Sequence, residues 1–579
     1  MYIDIVPNRN SPPAVLLRES FREGKKVKKR TIANLTSLPM AKVDAIRQAL
    51  GSSTPDEASP GKPTVESSGE ERPFRIVRSL PHGHVKAVLG TIRKIGLESV
   101  ISAKRCRERD LVVGMIVARI LFPRSKLDTV ARWIECTLAE QLQVTDADEN
   151  ELYKALDWLL KRQPKIEQKL AKRHLTEGST VLYDLSSSYY TGEHCALAKF
   201  GHDRDGKKGF RIIIYGVLAN REGCPVAVQV YAGNTADPTT IADQVEKLRK
   251  RFQLSRAVLV GDRGSITNTT VETLQTYPAL GWIGALRSNA IRQLIQKGSL
   301  DRSLFDEKNL GEITSEDYPE ERLIACHNPL LADKRNKKRQ ALLAATEEGL
   351  RRLAREVARR TKTPLTAAKI GVKAGRIINR YKVAKHFQLS IGDGSFRWQR
   401  NEQSIQQEEQ LDGVYIIRTS EPDEQFSTGD AVRTYKSLGQ IEQCFRCLKT
   451  IDLHVRPIYL RDEDHVKAHI FLCVLAYYVE WYLRRAWAER LYADEELEKD
   501  RWTRDPVTPP EPSPATKQKK NTHQNTDGLL VQAFASLLTN LATLCRNTCY
   551  LREDPTQTAI VIETEPTELQ ARALQLLDL

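Results

Sequence analysis

The chain has 579 residues, too many for a single hydrophobic core, and 40% of them are apolar or aromatic, enough to build several folded domains. Charged residues make up 28%, so the composition excludes a wholly disordered chain. Lys and Arg number 89 against 74 Asp and Glu, a net charge of +15. That surplus suits a polyanionic partner, nucleic acid above all, and suits equally a soluble protein that happens to be basic.

The opening MYIDIVPNRNSPP has no continuous apolar core, so no signal peptide is expected. The most apolar run, IFLCVLAYYV at 470–479, stops at Glu480 and is too short to span a bilayer. Ten scattered cysteines fit a reducing compartment. A soluble, intracellular protein with no membrane partner is expected. Two local pairs, Cys444 with Cys447 and Cys545 with Cys549, sit in apolar helical patterns. There cysteine is a small core residue more often than a zinc ligand.

In chain order, residues 1–50 read as a β-rich module, with AVLLRESFREGKKVKKRTIANL as two strands around a Glu-Gly-Lys-Lys turn. Its basic tip, Lys25, Lys26, Lys28, Lys29 and Arg30, suits DNA backbone or plain solvent equally. Residues 51–75 form a Pro/Ser/Gly/Glu linker. From 76 to 177 apolar residues recur at three-four spacing, as in RDLVVGMIVARILF and ELYKALDWLLKRQ, which predicts an all-α domain with a possible role in binding DNA ends.

The period then changes. STVLYDLSSSYY, GFRIIIYGVLAN, PVAVQVYAG and RAVLVGDRG read as strands, with the helix TIADQVEKLRKRF between the last two. Three strands, a helix and a further strand predict a mixed sheet of α/β class over 178–289. Residues 290–410 interrupt it as an insertion. From Lys334 to Lys362 this insertion carries eleven Lys or Arg against three Glu, on a helical pattern that suits phosphates or a solvated face. LDGVYIIRTS resumes the sheet, and helical pattern fills the rest of 411–492. A second Pro-rich linker spans 493–527, and 528–579 is read as an amphipathic helix, LLVQAFASLLTNLATLC, with a tail.

Two aspartates stand out by position. Asp184 lies inside the apolar strand VLYDLSS, and Asp262 lies where AVLVG breaks into a turn. Each alone is more often structural, since GDRG is a common turn and a carboxylate on a strand needs only some use for its charge. Together with a Glu from a later helix they can surround two divalent cations, which take oxygen ligands and assist in-line displacement at phosphorus. YKSLGQIEQCFRCLK supplies that Glu. Seven residues separate Tyr435 from Glu442 and Glu442 from Lys449. On one continuous helix that is about two turns with a slip of ~20°, so the three would share a stripe.

VLYDLSSSYYTGE, VQVYAGNTAD, AVLVGDRG, LDGVYIIRTS, YKSLGQIEQCFRCLK and HVRPIYLRDEDHVKAHIFLCVLAYYV occur in the order found in DDE transposases of bacterial insertion sequences. The chain resembles the insertion-sequence-four superfamily of that group. The resemblance implies an RNase H-like catalytic core split by an insertion and preceded by the all-α domain and the small β-hairpin module. It implies Asp184, Asp262 and Glu442 as catalytic and metal-holding carboxylates, two Mg²⁺ ions with Mn²⁺ as a substitute, and Tyr435 and Lys449 as phosphate contacts. The helix signature of the superfamily has Arg where this chain has Leu438. Arg446 or Arg433 would have to substitute. Trp398, in GSFRWQRN, is the candidate to stack a flipped base, and a core tryptophan is its plainer role.

By the same resemblance the activity is strand cleavage at transposon ends followed by attack of the freed 3′-OH, in some relatives through a hairpin. The partners are the terminal inverted repeats and target DNA. Pairing two ends implies a homodimer, and the location is cytoplasmic, with the nucleoid. Two alternatives stay open on the residues: a structure-selective nuclease on the same fold, and a decayed DNA-binding regulator, for which Leu438 speaks. His194, Cys195, His202 and Asp203 group in TGEHCALAKFGHD, but their spacing fits a loop better than a zinc site.

Overall fold

The computed structural model describes residues 2–7, 13–23, 26–49, 74–277, 279–300, 305–551 and 558–579. Lys25 and residues 51–73 of the expected linker lie outside them. The chain divides into two compact units, Met1–Pro73 and Phe74–Leu579.

In the first unit, β1 (Tyr2–Val6), β2 (Ala14–Glu23) and β3 (Lys26–Asn34) form an antiparallel sheet in sequence order. The module therefore has three strands rather than the expected two. Ile3 of β1 and Val15 of β2 are buried with Val43 of α1 (Met40–Ala49), and this small core recruits the first strand. Arg30 of the expected basic tip pairs with Glu19 across the hairpin at 2.9 Å.

The second unit begins with β4 (Phe74–Pro81), so the region from 76 is not all-α as expected, and continues with the helices α2 (Gly83–Lys94), α3 (Leu97–Ile101), α4 (Arg107–Leu121), α5 (Lys126–Trp133), α6 (Leu138–Leu142) and α7 (Glu149–His174). The last starts at an Asp148–Glu151 capping box, which satisfies backbone donors that a helix start leaves unpaired. Eight strands then make one mixed sheet. They are β5 (Thr180–Tyr189), β6 (Ile212–Asn220), β7 (Pro225–Ala232), β8 (Ala257–Gly261), β9 (Leu280–Ala285), β10 (Leu310–Ile313), β11 (Arg322–His327) and, after an interruption, β14 (Val414–Thr419). Their order is β10-β11-β14-β9-β8-β5-β6-β7. The three strands β5, β6 and β7 run antiparallel in sequence order, while β8 is parallel to β5 and β9 to β8. β5, β6, β8 and β9 are buried along nearly their whole length, as strands covered on both faces are. Between β7 and β9 come α8 (Ile241–Glu246) and α9 (Asn268–Gln275), and α10 (Ser288–Gln296) follows β9.

The interruption is shorter than expected. β10 and β11, inside the predicted insertion 290–410, pair antiparallel and extend the main sheet through β14. The interruption proper is α11 (Pro329–Arg359), α12 (Ala367–Arg380), the hairpin β12 (Phe387–Gly392) and β13 (Ser395–Arg400), and α13 (Glu402–Glu409). It has its own core, with Leu343, Leu350, Ile370, Phe387 and Phe396 buried together. β10 and β11 are short, and only the pairing of β11 with β14, far along the chain, identifies them as part of the main sheet.

After β14 come α14 (Thr428–Lys436), α15 (Leu438–Arg446) and α16 (Glu463–Ala486). This last helix is long and apolar enough to cross a membrane, but 83% of its apolar window is buried inside the protein, as suits a core helix. The expected second linker is partly ordered as α17 (Glu495–Lys499) and α18 (Pro514–Thr522), and Val507 between them is fully buried. The C-terminal region also differs from expectation. α19 (Phe534–Leu541) is short, and the chain continues as β15 (Cys545–Leu551), β16 (Ala559–Glu563) and α20 (Glu568–Gln575). β15 pairs antiparallel with β4, so Cys545 and Cys549 sit on a strand and not on a helix. Trp487, fully buried, donates to the Ala573 carbonyl at 2.8 Å, which ties the C-terminal helix into the core.

Candidate active site

Asp184 sits in the middle of β5, half-buried among neighbours that are fully buried. One of its oxygens accepts from the Leu185 N–H at 2.8 Å. β8 is parallel to β5, and its end brings Asp262 beside Asp184. Asp262 Oδ1 accepts from the Gly264 and Ser265 N–H groups at 2.9 and 2.8 Å, so the turn holds the carboxylate in place. α15 packs on β5 and carries Glu442, which is exposed and has no hydrogen-bond partner among the described residues.

Electrostatics links the three. Burial, then the charges of Asp262 and Glu442, push the Asp184 carboxyl up to about 7, against a smaller opposing pull from Arg204. The ligand atoms of the three do not all lie within 4.8 Å of one another. The group of that compactness among the described residues is Cys447, Asp452 and Glu480. There Arg484 pairs with Asp452 at 2.7 Å and with Glu480 at 2.5 Å, one guanidinium between two carboxylates.

The expected continuous helix is broken in two places. Ser437 separates α14 from α15. Its N–H is shared between the Arg433 and Thr434 carbonyls, and its hydroxyl donates back to Arg433 at 3.1 Å, a bond that bends helices. α15 then widens into a π turn at Cys447–Ile451, which changes the angular spacing before Lys449. Tyr435, Glu442 and Lys449 thus sit on three successive helical segments. Tyr435 lies close enough to Arg263, Asp262 and Asp184 to feel their charges, and burial lifts its phenol to about 12, so it is a neutral donor. Lys449 is 8% exposed and donates to Asp205 Oδ1 at 2.9 Å.

Leu438 is buried in the main core, so the position where the superfamily has Arg faces apolar neighbours. Arg433 is taken up by the Arg504 carbonyl, at 2.9 and 2.7 Å, and by Asp430 at 3.2 Å. Arg446 is exposed with no side-chain partner among the described residues. Trp398 packs against Phe387 with ring centroids 6.0 Å apart, on the core of the interruption.

Several site residues escaped the sequence reading. Arg204 pairs with Asp237, and Arg456 pairs with the second oxygen of Asp205. A Cβ placed on Gly264 would stand 3.3 Å from both Asp262 oxygens and 3.5 Å from Asp237 Oδ2, so the two carboxylates flank one glycine. Asp237 was in plain sight within the quoted GNTAD stretch. Arg456 lies within HVRPIYLRDEDHVKAHIFLCVLAYYV, and Asp205 lies in no such stretch. His194 is exposed and Cys195 buried, in the loop between β5 and β6.

Acidic side chains on adjacent strands, one mid-strand and one at a strand end, with Lys and Arg nearby, suit metal-assisted chemistry on a phosphodiester. Residues 181–479 match the family model described as Transposase DDE domain. That match spans more than half of the chain, and the chain belongs to the DDE transposase family. It is a DNA-cleaving and strand-transferring enzyme, of a family that generally uses divalent metal ions. Residues 3–59 match the model described as IS1634 family transposase, N-terminal domain. Among solved structures, the piggyBac transposase synaptic complex with hairpin DNA is similar at 10% identity, over 77% of this chain and 80% of that one, with a TM-score of 0.31. No curated protein matches the chain.

Proposed function

We propose that Asp184, Asp262 and Glu442 are the catalytic, metal-holding carboxylates of an RNase H-like core. On this reading the chain cleaves one strand at each end of its own insertion sequence and joins the freed 3′-OH to target DNA. The observation that carries the assignment is the state of Asp184, whose carboxyl is driven up to about 7 by burial and by the charges of Asp262 and Glu442. A buried carboxyl raised by two neighbouring carboxylates is relieved by cations, and an all-oxygen donor set suits Mg²⁺, or Mn²⁺ in its place. Two ions would share the three carboxylates, which then need not converge on one point. The chemistry these ions supply when bound is Lewis-acid stabilisation of charge at phosphorus and activation of the attacking oxygen.

The chain's own residues position the DNA. Lys449 acts as a point charge for a phosphate once Asp205 releases it, and Tyr435 donates as a neutral phenol. Arg446, exposed and without a side-chain partner among the described residues, takes the phosphate contact that Leu438 cannot make. The basic α11 and Trp398 on the adjacent hairpin contact DNA near the active site. The helical domain at 76–177 and the N-terminal module bind the terminal repeats, and a homodimer holds two ends together.

The test is strand cleavage of end DNA in Mg²⁺. Asp184→Asn, Asp262→Asn and Glu442→Gln each abolish cleavage and leave end binding within a few-fold of wild type. Full cleavage by any one of the three overturns the assignment of that residue.

A further inference from the structure

A cavity of about 740 Å³ opens between the α4–α5 connection and residues 454–460, beyond the π turn. Three of its basic lining residues are buried. Lys126 is 5% exposed, His469 6% and Arg119 7%. Lys126 Nζ lies 3.1 Å from His469 Nδ1, and His469 Nε2 lies 3.1 Å from the Val455 carbonyl. Burial and the two nearby cations hold His469 well below its ordinary pKa, so the imidazole is neutral. It accepts from Lys126 and donates to the backbone. Arg119 donates to the Arg124 carbonyl at 3.0 Å. Neither cation has a carboxylate partner among the described residues, and no Asp or Glu lines the cavity.

Buried cations without a counter-ion are unfavourable unless something anionic joins them. Burial and Arg119 together pull the Lys126 amine down to about 7, a penalty that an entering anion reverses. The remaining walls carry rings. Phe122 and Tyr153 line the cavity, and Tyr459, 63% exposed, stands at its edge. Arg456 lines it too and ion-pairs with Asp205, the carboxylate that also holds Lys449. The cavity is fastened to the catalytic strand as well. Tyr190 donates to the Leu460 carbonyl at 3.0 Å and the Thr191 N–H to the Ile458 carbonyl at 3.1 Å, at the end of β5 that follows Asp184.

We propose that this cavity binds the 5′-terminal phosphate of a DNA strand, with the first nucleoside against its aromatic wall. The inference rests on the function proposed above. Hydrolysis there adds water oxygen to phosphorus, breaks the P–O3′ bond and leaves the 3′ oxygen protonated. The products are a 3′-OH and a 5′-phosphate. An internal diester carries one negative charge, whereas a terminal phosphate carries nearly two at neutral pH, which matches the two unpaired cations. The ring faces suit a terminal nucleoside, which can leave the stack at little cost.

The test compares duplex oligonucleotides with a 5′-phosphate or a 5′-OH, bound to the full chain in EDTA and followed by fluorescence anisotropy. The 5′-phosphate duplex binds at least tenfold tighter. Lys126→Gln brings the two within twofold and leaves the 5′-OH duplex unchanged. Tyr459→Ala, on an exposed side chain, keeps the chain folded and lowers the preference at least threefold, so the proposal is testable even where Lys126→Gln fails to fold. Inorganic phosphate and free dTMP compete only at concentrations a hundredfold higher. Equal affinity for the two duplexes overturns the proposal, and so does a preference that survives Tyr459→Ala in full. Equal competition by dTMP overturns it in favour of a free-nucleotide site. Cleavage by the wild type is scored separately in Mg²⁺. Cleavage without a 5′-phosphate preference removes this inference alone, and a preference without cleavage removes the catalytic assignment alone.

Discussion

Lys449 donates to Asp205 Oδ1 at 2.9 Å, with Arg456 on the other oxygen of the same carboxylate. Asp205 is 11% exposed in its side chain and so occupies, from within the chain, the place a phosphate would take between two cations. Asp205→Asn frees both. DNA binding at 100 mM salt then tightens three- to tenfold, and the slope of log affinity against log salt steepens by about one to two, near 0.9 for each added phosphate contact. Anisotropy titrations from low to high salt read both values. Unchanged affinity with a lower melting temperature identifies Asp205 as a structural tie only.

Divalent ions should stabilise the wild type. At a concentration a hundredfold above the dissociation constant the gain is about 2.7 kcal/mol, visible as a rise of several degrees in melting temperature. Asp184→Asn loses most of that rise. In EDTA at pH 8 the same variant melts at or above the wild type, because Asp184, raised to about 7, is ionised there against Asp262 and Glu442. Calorimetry with and without Mg²⁺ separates the two effects.

Glu480 is fully buried in α16, and burial, with the nearby Asp452 carboxylate, pushes its carboxyl up to about 8 despite the pull of Arg484. A carboxyl raised in the folded state contributes stability that is complete below its ordinary 4.5 and is lost as pH rises through about 8. The melting temperature of the wild type therefore falls between pH 6 and pH 9. Glu480→Gln flattens that fall, by an amount on the order of 3 kcal/mol. Parallel slopes for the two proteins rule the account out.

Glu167, on α7, is fully buried at the edge of the main sheet. Its oxygens accept from the Val228 N–H at 3.0 Å, Gln163 at 2.7 Å and Arg251 at 2.9 Å, with Lys247 at 3.4 Å. Glu167→Ala leaves buried Lys247 uncompensated and costs about 3–5 kcal/mol. Glu167→Gln keeps the acceptor for Val228 and costs less. Thermal melting of both variants at pH 7 gives the order.

What local pattern can carry was legible before any coordinates. The strands around Asp184 and Asp262, the helices of 76–177 and the Glu442 helix follow from periods of two and of 3.6 within short windows. These windows, in order, also carry the family resemblance. The Tyr435, Glu442 and Lys449 stripe was only half right, because Ser437 and the π turn act through hydrogen bonds that residue spacing does not record.

The sequence by itself determined which segments are apolar strands, which helices are amphipathic, and that acidic residues sit on or beside those strands. Only the tertiary structure decided that β10 and β11 join the main sheet, that β15 returns to pair with β4, and that Asp205 and Arg456 meet Lys449. The physical reason is range. Periodicity is set by neighbours on one element, whereas pairing partners, buried ion pairs and cavities are set by packing between elements far apart in the chain. Lys126 and Arg119 are the extreme case, since nothing adjacent to them in sequence reveals that no carboxylate pairs with them among the described residues.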